Sequence, residues 1–457
     1  MDRPSRRQQL NKLRQKEILD ELRQKRNKLS EKRHIEPEQG DDKYRNNADV
    51  RFFSKRLKKA SDKHCKGEPE SLSDKACYAL PVKEKGKGTT NLIRHSREIV
   101  ESMNRREARF YTKYFVDDND EISEISLMYP GWEGLESFAL ATLAGNKDKD
   151  NEYLPMNDLK STINLIIDHV LADDIAEMFK TSLNKKSVQS AINNSIKNRL
   201  LDELYDDIQR YNKMITDIRK NSGKKLWPKY IIERNSAEPR YIQIVNHVIG
   251  QTYDRIIGPR VERLTNITSN LDLNYGELNA DFIHDIIIRT KIKNNTIFVD
   301  LGSGIGNTIL YASIATGCTG YGYELRQKLV DLANEQYEEI MTRGKLYGLE
   351  IGRVEFLSGD FRDIYINHPN FINILYSADV ILANNRTFSP ETNQFLYNLF
   401  LGLKKGAKVV SLESFEGFEP RGKQSERLFS EIKQFRYREN WVSWTHSDGK
   451  FYIATHV

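Results

Sequence analysis

Four short apolar runs in the second half of this chain each end on an acidic or amide residue, and those ends are where chemistry is concentrated. Asp300 stands before three alternating glycines, Gly302, Gly304 and Gly306. Glu324 closes the next run, Asp360 with Phe361 a third, and Asn384 with Asn385 a fourth. Glycines let the backbone turn sharply and approach a ligand with no Cβ in the way, and a helix behind them offers free N–H groups. A dinucleotide turn has the spacing Gly-x-Gly-x-x-Gly and places a pyrophosphate at that helix end. Here the spacing is Gly-x-Gly-x-Gly, and Asp300 would repel a phosphate beside it. A carboxylate there suits a cationic group such as an amino-acid ammonium. Glu324 can hydrogen-bond a ribose diol, while Asp360 can accept from an adenine amino group and Phe361 can cover the base. A ligand with ribose and an amino-acid cation but no phosphate describes S-adenosylmethionine. Asn384 then falls beside the transferable methyl. The plainer alternatives are a tight turn with no ligand and, for Asp360, a helix N-cap or turn residue; the three acids taken together weigh against them.

The elements needed to hold these residues can be read from the spacing. Strands are predicted over Thr296–Leu301, Gly320–Glu324, Val354–Ser358, Ala378–Asn384 and Lys408–Ser414, with helices between them over about 328–343 and, opened by Pro390, about 391–403. Strands alternating with helices imply an α/β fold, a doubly wound Rossmann-like sheet. The last stretch predicts a hairpin pairing Trp441–Trp444 with Phe451–Thr455 around Ser447–Gly449. Upstream, Leu159, Ile163, Ile167 and Val170 form one helical stripe after Asn157, and Val188, Ile192, Ile196, Leu200 and Leu204 a second. The expected organisation is a basic, largely disordered arm and linker over 1–107, a mainly helical part over 108–255 and the cofactor-binding domain over 256–457.

Composition limits the alternatives. The chain has 457 residues, of which 38% are apolar and 30% charged. No run of 18 apolar residues occurs, which argues against a membrane-spanning helix, and the first residues lack the apolar stretch of a secretory leader. Cys65, Cys77 and Cys318 are too few for a disulfide framework or a four-thiolate zinc site. A soluble intracellular protein is expected. Residues 1–110 hold 30 Lys and Arg against 18 Asp and Glu, a net of +12, whereas the remainder carries a net of −6. Leu10, Ile18, Leu22 and Leu29 lie near helical spacing among those cations, and Phe52 and Phe53 sit inside a second cationic cluster. Such an arm suits a polyanion, while the acidic body does something else; a solvated tail with no partner is the other reading.

With these residues in place, the chain resembles the non-SET histone H3 lysine-79 methyltransferases, the "disruptor of telomeric silencing" family, especially its fungal members. The likeness runs from about Tyr253 to Thr455 and rests on Asn274–Leu278, Phe298–Asn307, Tyr321–Glu324, Gly359–Phe361, Ala383–Asn385, Val410–Leu412 and Val442–Thr445, with a weaker echo at Tyr129–Gly131. The resemblance implies a class I S-adenosylmethionine-dependent methyltransferase acting in chromatin and telomeric silencing. It implies cofactor contacts from Tyr275, Gly276, Glu277, Leu278, Phe298, Val299, Asp300, Leu301, Gly302, Ser303, Gly304, Ile305, Gly306, Asn307, Glu324, Asp360 and Phe361. It places Asn384 near the methyl and the incoming lysine. It also implies a nuclear enzyme with a nucleosomal substrate, a lysine on the ordered face of histone H3, with other core histones and DNA phosphates as further partners of the basic arm. The chain departs from the family pattern at Arg386, Phe451, where tyrosine is usual, and Glu413.

Transfer to lysine requires a neutral amine, and lysine carries its proton up to a pKa near 10.4 in water. A narrow apolar channel disfavours the ammonium, and alignment supplies most of the remaining acceleration, so no dedicated general base is expected. Phe388, Trp444, Phe451 and Tyr452 are the candidate channel walls; ordinary core packing is the alternative for each. A nucleic-acid methyltransferase would also combine this fold with a basic arm, but it usually has Asn/Asp-Pro-Pro-Tyr/Phe where this chain has Asn384 to Phe388. A chromatin-binding module with a vestigial cofactor site is a third reading, opposed by the intact Asp300, Glu324, Asp360 and Asn384.

Overall fold

A computed structural model describes residues 93–107, 109–116, 120–145, 152–181, 186–222, 226–235, 237–260, 276–419 and 427–457. The arm up to residue 92, with its helical stripe and Phe52 and Phe53, lies outside the described residues, as does Tyr275. Among the described residues no helix is long and apolar enough to cross a membrane.

A helix lies inside the stretch that the spacing assigns to the arm and linker. Ser96–Arg106 is a helix (α1) that buries Ile99 and Val100 and has acidic Glu98 in its first turn and Arg105 and Arg106 in its last, the charge order that opposes the helix dipole. Four short strands follow, Tyr111–Lys113 (β1), Glu124–Tyr129 (β2), Trp132–Ala139 (β3) and Ala141–Leu143 (β4). They form two antiparallel pairs, β1 with β4 and β2 with β3. The part expected to be mainly helical therefore begins with strands, and β2 carries the alternation of one, with Ile125, Leu127 and Tyr129 buried and Glu124 and Ser126 exposed.

The helical region follows as expected: Pro155–Leu165 (α2), Asp173–Lys180 (α3), Val188–Asn198 (α4), Leu201–Ser222 (α5) and Pro239–Ile256 (α6). Leu159, Ile163, Ile167 and Val170 are all buried. The second predicted stripe is cut in two, because Arg199 turns left-handed at φ 55 and ends α4 before α5 begins.

The remaining elements are Ala280–Thr290 (α7), Ile297–Leu301 (β5), Asn307–Thr316 (α8), Thr319–Glu324 (β6), Gln327–Leu346 (α9), Val354–Ser358 (β7), Pro369–Ser377 (α10), Val380–Ala383 (β8), Pro390–Phe400 (α11), Lys408–Ser411 (β9), Phe429–Tyr437 (β10) and Gly449–His456 (β11). They build one seven-stranded sheet in the order β10-β11-β9-β8-β5-β6-β7. Strands β5 to β9 are parallel, and β10 and β11 run antiparallel at one edge. Both faces are covered, which is why the central strands read as continuous apolar runs. Phe298, Leu382 and Val410 point into a core shared with the N-terminal helices. Val299, Leu301, Ile381, Ala383 and Val409 point into a second core with Phe371, Leu375, Leu396 and Phe400. The chain leaves β5 toward β6 on one side and returns through β8 on the other, so the crevice at their carboxyl ends is the topological switch point where such sheets bind ligands.

The terminal hairpin corrects the prediction. The partner of β11 is β10, with Phe435 opposite Phe451 and Gln434 opposite Tyr452, not Trp441–Trp444. Strand β10 is a sheet edge in which Lys, Glu and Arg interrupt the alternation, so its apolar pattern is weak. Trp441–Trp444 instead belongs to the connection, where Val442 bridges Leu278.

Candidate active site

The glycine turn sits directly on the end of β5. Gly302, Gly304 and Gly306 have φ of 97, 55 and 84. Gly306 shows why the spacing demands glycine: a Cβ there would lie 2.4 Å from the Phe356 ring. The N–H groups of Gly302 and Ser303 both donate to the Tyr323 carbonyl, at 2.8 and 3.2 Å, which ties the turn to β6. Glu324 ties it again, its Oε2 accepting the Gly304 N–H at 2.9 Å and its Oε1 accepting the Arg326 N–H at 3.0 Å.

Asp300 is 3% exposed at the root of this turn. Burial, then the neighbouring Glu324 charge, pushes its pKa up to about 8, opposed in part by a hydrogen bond from Thr308. Among the described residues neither Asp300 Oδ1 nor Ser303 Oγ has a hydrogen-bond partner, although both are buried. Buried polar atoms are normally paired, so two orphans at the switch point mark a place built for a polar ligand. A group with a cationic end meets the need of Asp300, because it favours the carboxylate that burial disfavours.

A strap covers the turn. The Glu277 N–H donates to Ser443 Oγ at 2.9 Å, and the Ser443 N–H returns to the Glu277 carbonyl at 2.9 Å. The Asn279 N–H donates to the Trp441 carbonyl at 2.9 Å, so residues 276–279 run antiparallel to 441–443. Gly276 lies against Trp444; a Cβ on it would fall 2.4 Å from the indole. Asn307 at the start of α8 donates its Nδ2 to Glu277 Oε2 at 2.6 Å, which joins strap to turn. Asn384 closes the other side, its Nδ2 donating to the Gly276 carbonyl at 3.1 Å. The indole N–H of Trp444 is buried with no partner among the described residues.

Asn385 explains how Asn384 is held, a role that its position in the sequence did not signal. It is 1% exposed. Its Oδ1 accepts the N–H groups of Leu412 and Glu413 at 2.9 and 2.8 Å, and its Nδ2 donates to Asn393 Oδ1 at 2.7 Å. The ends of β8 and β9 are thereby locked together. Beyond them Arg386 and Glu413, two of the departures from the family pattern, face each other at 3.9 Å with both side chains about half exposed.

The aromatic candidates divide. Phe388 lies at the turn, its ring tip 3.7 Å from where a side chain on Gly302 would begin, and 5.8 Å from Phe361 between ring centres. Phe361 and Phe388 thus form one wall and Trp444 another part of the rim. Phe451 does not join them. It is fully buried, 4.9 Å from Phe282 and 5.4 Å from Phe435 between ring centres, so its ring is core. Tyr452, half-buried, points to the opposite face of β11 and donates to Gln434 Oε1 at 3.4 Å.

Other predicted contacts are also redistributed. Phe298, Val299, Leu301 and Ile305 are fully buried core side chains, so only their backbone is available to a ligand. Leu278, within the strap, has its side chain buried. Asp360 caps the short turn that begins at Phe361, accepting the Arg362 N–H at 2.9 Å, and its carboxylate is gripped by the Arg362 guanidinium at 2.6 Å. Burial acts to raise its pKa, but Arg362 outweighs that and holds it below the usual range. The capping reading of Asp360 therefore holds, and an adenine amino group would have to share the carboxylate with Arg362.

Comparison with known proteins gives a consistent answer. Residues 253–456 match the family described as "Histone methylation protein DOT1". Over 346 residues, 74% of this chain and 64% of the relative, it is 32% identical to the "Histone-lysine N-methyltransferase, H3 lysine-79 specific" of Aspergillus fumigatus. The enzymes of that name from Chaetomium globosum and Kluyveromyces lactis are 32% and 28% identical, over 74% and 75% of this chain. The chain spans somewhat under two thirds of the length of these relatives, 62% for the Chaetomium protein and 58% for the Kluyveromyces protein.

Proposed function

We propose that this chain, whose residues 253–456 match the DOT1 histone-methylation family, is a histone-lysine N-methyltransferase that uses S-adenosylmethionine. The substrate we assign is lysine-79 of histone H3 within the nucleosome, and the place of action the nucleus. The observation that carries the reading is a pair of buried atoms without partners among the described residues, Asp300 Oδ1 and Ser303 Oγ, at a glycine turn that Asn384 faces across the Gly276 strap.

The cofactor supplies an electrophilic methyl group on a sulfonium. The residues of the chain do the rest. Asp300 holds the cationic amino-acid end. Glu324 keeps the turn in shape and offers its carboxylate edge to the ribose. Phe361 covers the base, with Asp360 beside it, and the strap from Gly276 to Leu278 closes over the ligand.

Asn384 bridges strap and sheet where the incoming amine must align. Phe388 and Trp444 give that entry apolar walls. An ammonium is disfavoured between such walls and loses its proton to water, so the amine arrives neutral. Holding amine and methyl in line then accounts for most of the acceleration.

The basic arm is assigned a separate job, gripping DNA phosphate or acidic histone surface without reading base sequence. Tritiated-methyl transfer to whole nucleosomes, free core histones and nucleic acid in parallel tests the proposal. Label on histone H3 in nucleosomes supports it, and label confined to nucleic acid overturns it.

A further inference from the structure

Behind the glycine turn lies a buried cluster of ions that the chemistry above does not use. Glu136 on β3 accepts from two arginines, Arg255 Nη2 at 2.7 Å and Arg343 Nη1 at 3.0 Å, and all three side chains are 0% exposed. Asp158 on α2 accepts a second bond from Arg255 Nη2 at 2.8 Å. Glu339 accepts from Arg343 Nη2 at 2.7 Å. Burial alone would raise the Glu136 pKa, but the two arginines overcome it and hold the carboxyl below its ordinary value. Arg255, Arg343 and Glu339 fall inside the matched domain, while Glu136 and Asp158 come from the region before it.

The cluster bears on the site through α9. Gln336, Glu339 and Arg343 stand at i, i+3 and i+7, hence on one face of that helix. Gln336 is 2% exposed and its Nε2 donates to the Ile305 carbonyl at 2.8 Å, inside the glycine turn. The same amide lies 3.5 Å from Asn307 Oδ1, whose other amide atom holds Glu277 of the strap. One buried side chain thus touches both the turn and the residue that fastens the strap to it.

We propose that Gln336 is a positioning residue for the cofactor turn, and that the Glu136–Arg343 contact fixes where it stands. Removing one partner of a buried ion pair strands the other charge, so the region before residue 253 is an integral support of the cofactor site. The inference rests on the functional reading above and deepens it.

The test uses the whole chain. Gln336→Met keeps the length and removes the donor; Gln336→Glu keeps the shape and puts a carboxylate against the Ile305 carbonyl. Calorimetric Kd for S-adenosylmethionine should rise about tenfold in the first variant and further in the second. The cofactor KM should follow, while kcat at saturating cofactor stays within about twofold. Glu136→Gln should raise the same KM, and its combination with Gln336→Met should fall short of the product of the two effects, the mark of one shared route. If Glu136→Gln does not fold, the two Gln336 variants decide alone. Gln336→Met with unchanged Kd, or a loss confined to kcat, overturns the inference while leaving the function standing. A wild-type chain that binds neither S-adenosylmethionine nor its demethylated product removes both.

Discussion

Glu324 reaches across from β6 to accept the Gly304 N–H at 2.9 Å, and in doing so it sets its negative charge beside the buried Asp300. The two carboxylates have different duties. One is committed to shaping the turn. The other, without a partner for its Oδ1 among the described residues, is kept from ionising by burial and by the first.

The pH dependence of cofactor binding follows from that pairing. The folded-state pKa of Asp300, about 8, lies above the value near 4 of an unfolded aspartate. Its contribution to stability is therefore present below pH ~4 and is lost as the pH rises toward 8. A cationic ligand group favours the ionised form, so binding below pH 8 expels a proton. Affinity should rise between pH 6 and 8, by at most about tenfold per unit, and Asp300→Asn should weaken binding and flatten the slope. Calorimetry in buffers of different ionisation enthalpy counts the proton; a count of zero at pH 6.5 contradicts the assignment.

Asn384→Ala removes the bridge to Gly276 without disturbing Asn385, which does the structural work of joining β8 to β9. Turnover on nucleosomes should fall by on the order of 100-fold, with the circular dichroism spectrum and melting temperature unchanged. Near-normal turnover would take Asn384 out of the site.

Gly306→Ala meets two obstacles, a φ of 84 and the Phe356 ring 2.4 Å from the new Cβ. We expect a destabilisation of about 2 kcal/mol or more, read from denaturant melts, together with loss of cofactor binding. A stable variant that binds normally would mean that the turn has freedom that its packing does not suggest.

Removal of residues 1–92 tests the basic arm apart from the catalytic core. Nucleosome affinity of the intact chain should fall steeply between low and physiological salt, and the truncated chain should bind more weakly with a shallower slope. Cofactor affinity should stay the same. Equal activity of both chains on nucleosomes would discard the role given to the arm.

How legible these features were depended on range. The central strands could be read because two covered faces leave apolar runs such as Ile297–Val299 and Val380–Ala383, and the turn because its three glycines alternate within a few residues of one another. Strand β10 could not, since an edge strand with one face toward solvent carries too many charges to alternate cleanly. Phe388 and Phe451 are the same residue type near the same sheet edge, and only packing distinguishes a wall from a core ring. The ion cluster was invisible for another reason. Glu136 meets Arg255 and Arg343 across separations of 119 and 207 residues, and a lone charge in sequence gives no sign of a buried partner.

The central claim is that the crevice between β5 and β8 holds a phosphate-free sulfonium nucleoside. Titrating the purified chain with S-adenosylmethionine, its demethylated product and a nicotinamide dinucleotide tests it most directly. Binding of the first two, weakened in Asp300→Asn, with no heat from the dinucleotide is the expected result. Binding of the dinucleotide alone, or of none of the three, would contradict it.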